Sequence, residues 1–374
     1  MKLVSIVGAR PQFIKIAPLA RSLGRCNGVG DEAIDNVLIH TGQHYDAAMS
    51  DIFFEELKIP RAAVNLGVGS APHGRQTGQM LEKLEEVLLE RRPDIVVIYG
   101  DTNSTLAGAL AGTKLCIPVA HVEAGVRSFN RTMPEEINRV VADHVSDLLL
   151  APTSTAMENL GKEGLSKKAV LTGDVMYDAV LFNRELAERK SNILARLALA
   201  PRQYGLVTVH RAENTENEDR LKKLLAAFNE IAESTLPLVF PIHPRTAKVL
   251  QDRFPGWRRH DRLQLIEPVG YLDMLKLLNH ARMTLTDSGG LQKEAFFLGC
   301  PCITLREETE WVETVRAEAN LLSGVEPARI LKAVSIWENR LSSGRAAFSA
   351  EGLELFGDGC AADKVKEALL AFRR

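Results

Sequence analysis

Apolar residues gather in short, unbroken runs. Leu3–Val7, Asn36–His40, Ile95–Tyr99, Pro118–Val122 and Leu148–Ala151 read as strands buried on both faces, since a half-exposed strand would alternate apolar and polar positions. Helix-like stretches separate them, the pattern of parallel βαβ units. One helix is predicted from about Pro11, where proline in a first turn sacrifices no hydrogen bond, with Ile14, Ala17, Pro18 and Leu19 on one face. The pattern then restarts. Leu206–Val209, Leu238–Pro241, Leu263–Ile266, Met283–Thr286 and Cys302–Leu305 form a second strand set, with helices such as Arg220–Glu233 between them. The expected fold class is α/β, with two doubly wound Rossmann-like domains. Phe182–Gln203 is the weakest stretch, and the division is placed just before it, between residues 174 and 175. A last helix, roughly Ala361–Phe372, follows the turn-rich Phe356-Gly357-Asp358-Gly359.

Length agrees, because 374 residues exceed what one compact core organises. With 45% apolar and 25% charged residues the chain is globular, which excludes disordered, fibrous and collagen-like classes. Lys and Arg number 46 against 48 Asp and Glu, a net charge of -2 that argues against a general nucleic-acid binder. A local phosphate pocket would not show in that sum. The run Leu3–Val7 ends at Gly8-Ala9-Arg10, too short for a signal peptide. No apolar stretch approaches the roughly 18 residues needed to cross a membrane. Cys26, Cys116, Cys300, Cys302 and Cys360 match no common zinc or redox spacing and read as buried thiols of a cytoplasmic protein.

Open parallel sheets bind ligands beyond the carboxyl ends of their strands, so polar residues at those ends carry the candidate chemistry. After the first strand come Arg10 and, about one helical turn on, Lys15, which with the helix amino terminus would form an anion site. No G-x-G-x-x-G or G-x-x-x-x-G-K-[ST] is present, so dinucleotide and P-loop sites lose support. Ile95–Tyr99 runs into Gly100-Asp101-Thr102, where Asp101 reads most simply as a helix cap. His121-Val122-Glu123 ends the next strand, and Glu135 and Glu136 open the helix after Pro134. Singly, each acid reads as structural. Together, Asp101, Glu123 and Glu135 put three carboxylates at one sheet edge, where acid and base roles can be divided between them.

The second half supplies the complement. His210 and His243 end neighbouring strands, and with no H-x-x-x-H or paired cysteine they read as general acid or phosphate contacts rather than metal ligands. Asp287-Ser288-Gly289-Gly290 links a strand to a helix, so bare N–H groups at Ser288, Gly289 and Gly290 could approach a phosphate, with Glu294 one turn on reaching ribose hydroxyls. The expectation is an interdomain cleft for a nucleotide sugar, the nucleotide on the second domain and the sugar on the first.

Several ordered segments carry a resemblance over nearly the whole chain. They are Gly8-Ala9-Arg10-Pro11 with Lys15, Thr41-Gly42-Gln43-His44, Gly100-Asp101-Thr102, His121-Val122-Glu123-Ala124-Gly125-Val126-Arg127, Pro134-Glu135-Glu136 with Asn138-Arg139, His210-Arg211-Ala212-Glu213-Asn214, and Asp287-Ser288-Gly289-Gly290 with Glu294. The chain resembles the non-hydrolysing UDP-N-acetylglucosamine 2-epimerases. The resemblance implies a glycosyltransferase-B-like pair of domains, residues 1–174 and 175–357, with 358–374 returning to the first. It also implies a homodimer, a UDP-sugar substrate, no cofactor, no metal, and neither nucleic acid nor membrane as partner. The implied reaction inverts C2 through loss and re-addition of UDP, with Asp101, Glu123, Glu135 and His210 catalytic. Arg10, Lys15, Arg139, His243, Ser288, Gly289, Gly290 and Glu294 would bind substrate.

Two departures stand out. Gln12-Phe13 replaces the Glu-Ala of many members, and Trp311-Val312 replaces an Arg-Pro. Both look more like the branch acting on UDP-2,3-diacetamido-2,3-dideoxyglucuronic acid, and Trp311 is expected to alter the shape and charge offered to the sugar. Competing readings are a glycosyltransferase of the same fold, which would leave the carboxylate trio surplus, a hydrolysing epimerase, and a non-catalytic UDP-sugar sensor.

Overall fold

The structure is a computed structural model that describes residues 1–24, 34–43, 56–343 and 350–372. Cys26 and His44 lie outside the described residues. In chain order the described strands are β1 Lys2–Val7, β2 Asp35–His40, β3 Val64–Asn65, β4 Ile95–Tyr99, β5 Val119–Val122, β6 Leu148–Ala151, β7 Ala169–Leu171, β8 Gly205–Thr208, β9 Leu238–Pro241, β10 Leu263–Ile266, β11 Met283–Thr286, β12 Cys302–Thr304 and β13 Asn320–Leu322. They form two all-parallel sheets, one ordered β3-β2-β1-β4-β5-β6-β7 and the other β10-β9-β8-β11-β12-β13. In each, the strand order reverses beside the set's first strand, between β1 and β4 or between β8 and β11. Those reversals are where an open parallel sheet offers a crevice.

The central strands β4 and β5 are buried at every residue, as continuous apolar runs require. On one face of the first sheet, Val4, Ile6, Val96, Ile98 and Val119 pack against Met80, Leu84, Leu88, Ala107 and Ala111 from the helices His73–Arg91 and Asn103–Lys114. In the second sheet Phe240 and Leu285 join Phe228, Ile231 and Trp337, and the Trp337 ring N–H donates to the Cys302 carbonyl at 3.2 Å. Each such fully buried side chain contributes about 1.5–3 kcal/mol.

The chain divides into two compact units, Met1–Ala179 with Glu354–Arg374, and Val180–Leu353. The division expected between 174 and 175 lies at the start of the helix Val175–Lys190, and the boundary between the two units falls five residues further on, inside that helix. The closing helix Ala361–Ala371 belongs to the first unit, where Val365 and Leu369 are fully buried. Asp178 accepts its first free N–H groups, from Ala361 at 3.1 Å and Ala362 at 2.8 Å, while burial pushes the Asp178 carboxyl up to about 6. β3, β7 and β13 escape the periodicity reading. All three are edge strands of two or three residues, and β7 exposes Val170 and Leu171. The cysteines are mixed: Cys300 and Cys302 are buried, the Cys300 thiol being pushed up to about 12, whereas Cys116 and Cys360 are exposed.

Candidate active site

At the carboxyl edge of the first sheet, the chain leaves β4 through Gly100, whose φ of +62° is one that side-chain-bearing residues seldom adopt. A Cβ there would also lie 2.6 Å from the Lys15 ammonium. Asp101 does not cap the following helix, as its position suggested. Thr102 does so, in a reciprocal pair with Thr105. Asp101 is thereby released to the Arg139 guanidinium at 2.5 Å and keeps about a quarter of its side chain exposed. Its carbonyl is held by the Asn138 amide at 2.9 Å.

Glu123 follows β5 directly and has φ +73°, rare outside glycine and costing of order 1–3 kcal/mol unless the surroundings impose it. The Leu150 carbonyl imposes it here by accepting both the Glu123 and Ala124 N–H groups at 3.1 Å. The carboxylate meets the Lys15 ammonium at 2.6 Å, and both groups are buried. Lys15 is thus tied to Glu123, while Arg10 sits partly exposed at the start of the helix Arg10–Gly24.

The helix Pro134–Val145 completes the edge. Glu135 lies one helical turn before Arg139, so it shares the face that holds Asp101, and it is partly exposed. Its neighbour Glu136 has a different task. It is buried, pairs with Arg139 at 2.8 Å, and accepts the Ser128 and Phe129 N–H groups at 2.9 Å. Burial pushes its carboxyl up, but those donors and the guanidinium outweigh it and hold it below the ordinary range. Arg139, expected against substrate, is buried between Asp101 and Glu136 and positions both.

In the second unit, Asp287 follows β11 and is fully buried. It accepts the N–H groups of His210 and Arg211 at 3.1 Å and the Asn214 amide at 3.1 Å, fastening the turn after β8. The His210 ring, more than two-fifths exposed, stands 3.4 Å from Asp287 and 6.2 Å, centroid to centroid, from the exposed His243 ring. Ser288 caps the helix Gly289–Phe297. The two glycines have different reasons to be glycine. A Cβ on Gly289 would lie 2.1 Å from the Glu310 carboxylate, which the Arg306 guanidinium pins at 2.9 Å; at Gly290 nothing comes nearer than 3.9 Å. Only Gly290 keeps an open approach. Glu294 is buried one turn further in.

Residues 29–370 match the family profile described as UDP-N-acetylglucosamine 2-epimerase. The chain belongs to that family. With membership comes the reaction class: it is an isomerase. A UDP-2,3-diacetamido-2,3-dideoxy-D-glucuronate 2-epimerase of Pseudomonas aeruginosa is 45% identical over 99% of each chain. A UDP-N-acetylglucosamine 2-epimerase of Methanocaldococcus jannaschii is 46% identical over 92% of this chain and 96% of its own. Among solved structures, the M. jannaschii UDP-GlcNAc 2-epimerase in complex with UDP-GlcNAc and UDP aligns at TM-score 0.91 and 45% identity, over 99% of this chain and 100% of its own. The epimerase with UDP-GlcNAc from Neisseria meningitidis aligns at 0.89 and 30% identity, over 99% and 100%. These likenesses span both units, and the fold class is the glycosyltransferase-B-like α/β pair.

The two family departures lie in the core. Gln12 is fully buried; its amide oxygen accepts the Gly8 and Ala9 N–H groups at 2.8 and 3.1 Å, and its amide nitrogen donates to the Tyr99 carbonyl at 2.9 Å. An ionised glutamate there could accept but not donate. Trp311 is 4% exposed, with the Lys293 ammonium 3.8 Å from its ring centre. Its ring nitrogen lies 3.5 Å from where a Gly289 Cβ would stand, so Trp311 packs against the Gly289 turn. Residue reading alone passed over Asp287 and Glu136 as anchors. The only signal for Asp287 was a carboxylate at the mouth of a strand directly before Ser-Gly-Gly.

Proposed function

We propose that the chain is a UDP-sugar 2-epimerase that inverts C2 of a UDP-2-acetamido sugar. Sugar chemistry falls to Asp101, Glu123 and Glu135, and the nucleotide to the edge formed by His210, His243, Ser288, Gly290 and Glu294. The observation that carries this reading is the carboxylate set at the first sheet edge. Its members come in three settings: Glu123 buried on an ammonium, Asp101 about a quarter exposed on a guanidinium, and Glu135 partly exposed on the adjoining helix.

C2–H is not beside a carbonyl and is barely acidic, so C1–O cleavage leads and positive charge builds on the ring. Carboxylates stabilise that charge and exchange the C2 proton. The C2 proton leaves, the C1–O electron pair departs with UDP, and a 2-acetamidoglucal forms. A proton then arrives on the opposite face and UDP adds back at C1. Two faces require two differently placed acid–base groups, which a hydrolase or a transferase would not. Arg10, His210 and the N–H groups beside Gly290 are suited to the departing pyrophosphate.

Of the two sugars named among the relatives, Gln12 and Trp311 favour the 2,3-diacetamido-glucuronate. A cytoplasmic homodimer making surface-polysaccharide precursors fits this activity. No helix among the described residues is long and apolar enough to cross a membrane. The test is proton NMR in D₂O with UDP-N-acetylglucosamine and UDP-2,3-diacetamido-2,3-dideoxyglucuronic acid side by side. A manno-configured UDP-sugar deuterated at C2, formed faster from the diacetamido compound, is expected. Free UDP with reducing sugar, or no exchange with either, would overturn the proposal.

A further inference from the structure

A histidine in the middle of an apolar strand needs an explanation that the reaction above does not supply. His121 sits in β5 between Ile98 of β4 and Leu149 of β6 and is fully buried. Its Nε2 lies 2.7 Å from the Gly100 carbonyl, and its Nδ1 lies 2.6 Å from an oxygen of Asp143. A carbonyl only accepts, so Nε2 donates to Gly100, and Nδ1 shares one proton with the Asp143 carboxyl.

The second oxygen of Asp143 accepts the Arg127 guanidinium at 2.7 Å and the Gly125 N–H at 3.0 Å. Burial pushes this carboxyl up, yet His121, Arg127 and the Gly125 N–H together hold it below the ordinary range. Arg127 in turn forms a fork on Glu163, at 2.8 Å for both contacts, and the half-exposed His144 stands 3.6 Å from Glu163. His121, Asp143, Arg127 and Glu163 form one connected network, in which the buried Arg127 guanidinium is matched by two carboxylates.

The quartet touches the peptides next to both carboxylates. His121 holds the carbonyl of Gly100, the residue before Asp101, while the Gly100 N–H donates to the Val122 carbonyl at 3.0 Å. Asp143 holds the N–H of Gly125, two residues after Glu123. Asp143 also rides on the helix that carries Glu135, Asn138 and Arg139.

We propose that His121 is a positioning residue, oriented by Asp143, that sets Asp101 and Glu123 at the separation the C2 chemistry needs. The inference rests on the epimerase reading above but makes a claim of its own about a hydrogen bond. Nitrogen-15 NMR of histidine-labelled protein should show one residue, lost in His121→Gln, whose Nε2 carries the proton donated to the Gly100 carbonyl. An unprotonated Nε2 in the folded protein would overturn the proposal.

The kinetic arm uses His121→Gln, which can donate one hydrogen bond but carries no charge, and Asp143→Asn. C2 exchange should fall by about 10- to 100-fold in kcat, with KM for the UDP-sugar and the Kd for UDP within about twofold of wild type. Circular dichroism should show both variants folded. Unchanged kcat in a folded His121→Gln would sink the positioning role. If wild type itself exchanged no deuterium, the epimerase reading would fail, while the NMR result would still decide whether His121 donates to Gly100.

Discussion

The two sheets share one strand order, and each places an aspartate beside its reversal, yet they use it in opposite ways. Asp287 is fully buried and satisfies backbone and amide donors, which leaves the His210 ring and the Gly290 turn facing outward. Asp101 is the reverse: capping passes to Thr102, and Arg139 presents its carboxylate. One edge buries its acid to build a rigid surface of N–H groups and imidazole, suited to an anion. The other sets its acids on buried cations, Lys15 and Arg139, which on the proposed reading readies them for proton transfer. The same fold topology therefore does not fix chemistry; the second layer of side chains does.

The contrast breaks most visibly through Glu123→Gln or Asp101→Asn. C2 deuterium exchange should fall by about 10²–10⁴-fold, the usual worth of a positioned acid or base, with UDP affinity by calorimetry unchanged. Lys15→Met should cost about 3–5 kcal/mol in urea unfolding because it strands the buried Glu123 charge. Adding Glu123→Gln to it should recover much of that loss, and two strictly additive losses would show that the pair is not coupled.

At the other edge, Asp287→Asn turns an amide toward backbone donors and should cost about 1–3 kcal/mol, with weaker UDP binding as the His210 turn loosens. The glycines give a finer comparison. Gly289→Ala must displace Glu310 from Arg306 and should destabilise by about 1–3 kcal/mol. Gly290→Ala has room and should leave stability equal or about 0.5–1 kcal/mol higher, while raising the UDP Kd roughly tenfold if phosphate approaches there. An unchanged Kd would move the phosphate elsewhere.

The smallest effect is one of pH. The folded Asp178 carboxyl is raised from 3.8 to about 6, so the folded state holds a proton that the unfolded chain has lost. Its contribution to stability is therefore full below the lower value, declines as pH rises between the two, and is gone above. Asp178→Asn should flatten that interval in a comparison of Tm against pH, by a few degrees at most. A wild-type slope identical to that of the variant would deny Asp178 its raised value.

How much of this could be read from residues alone follows the physics of each feature. Strands β1, β4, β5 and β11 announced themselves because burial on both faces demands unbroken apolar runs. β3 and β13 are two or three residues long at sheet edges, too short for any period to register. Glu123 and Gly290 were legible as polar or bare residues just after strands, and Glu135 as an acid in the first turn of a helix. Their partners were not, because Lys15 to Glu123 spans 108 positions and the pairing exists only once β1 lies beside β4 and β4 beside β5. The assignment of Asp101 as a cap failed for a local reason: Thr102 is a cap of comparable strength, and with Thr105 in reach it forms a reciprocal pair that an aspartate one residue earlier cannot.

The claim that matters most is that chemistry resides on the first edge and nucleotide binding on the second. Its most direct test is paired C2 deuterium exchange and UDP calorimetry on Glu123→Gln beside wild type. The account expects exchange to vanish in the variant while the two proteins bind UDP alike. Normal exchange in Glu123→Gln, or UDP binding lost together with exchange in a folded variant, would contradict it.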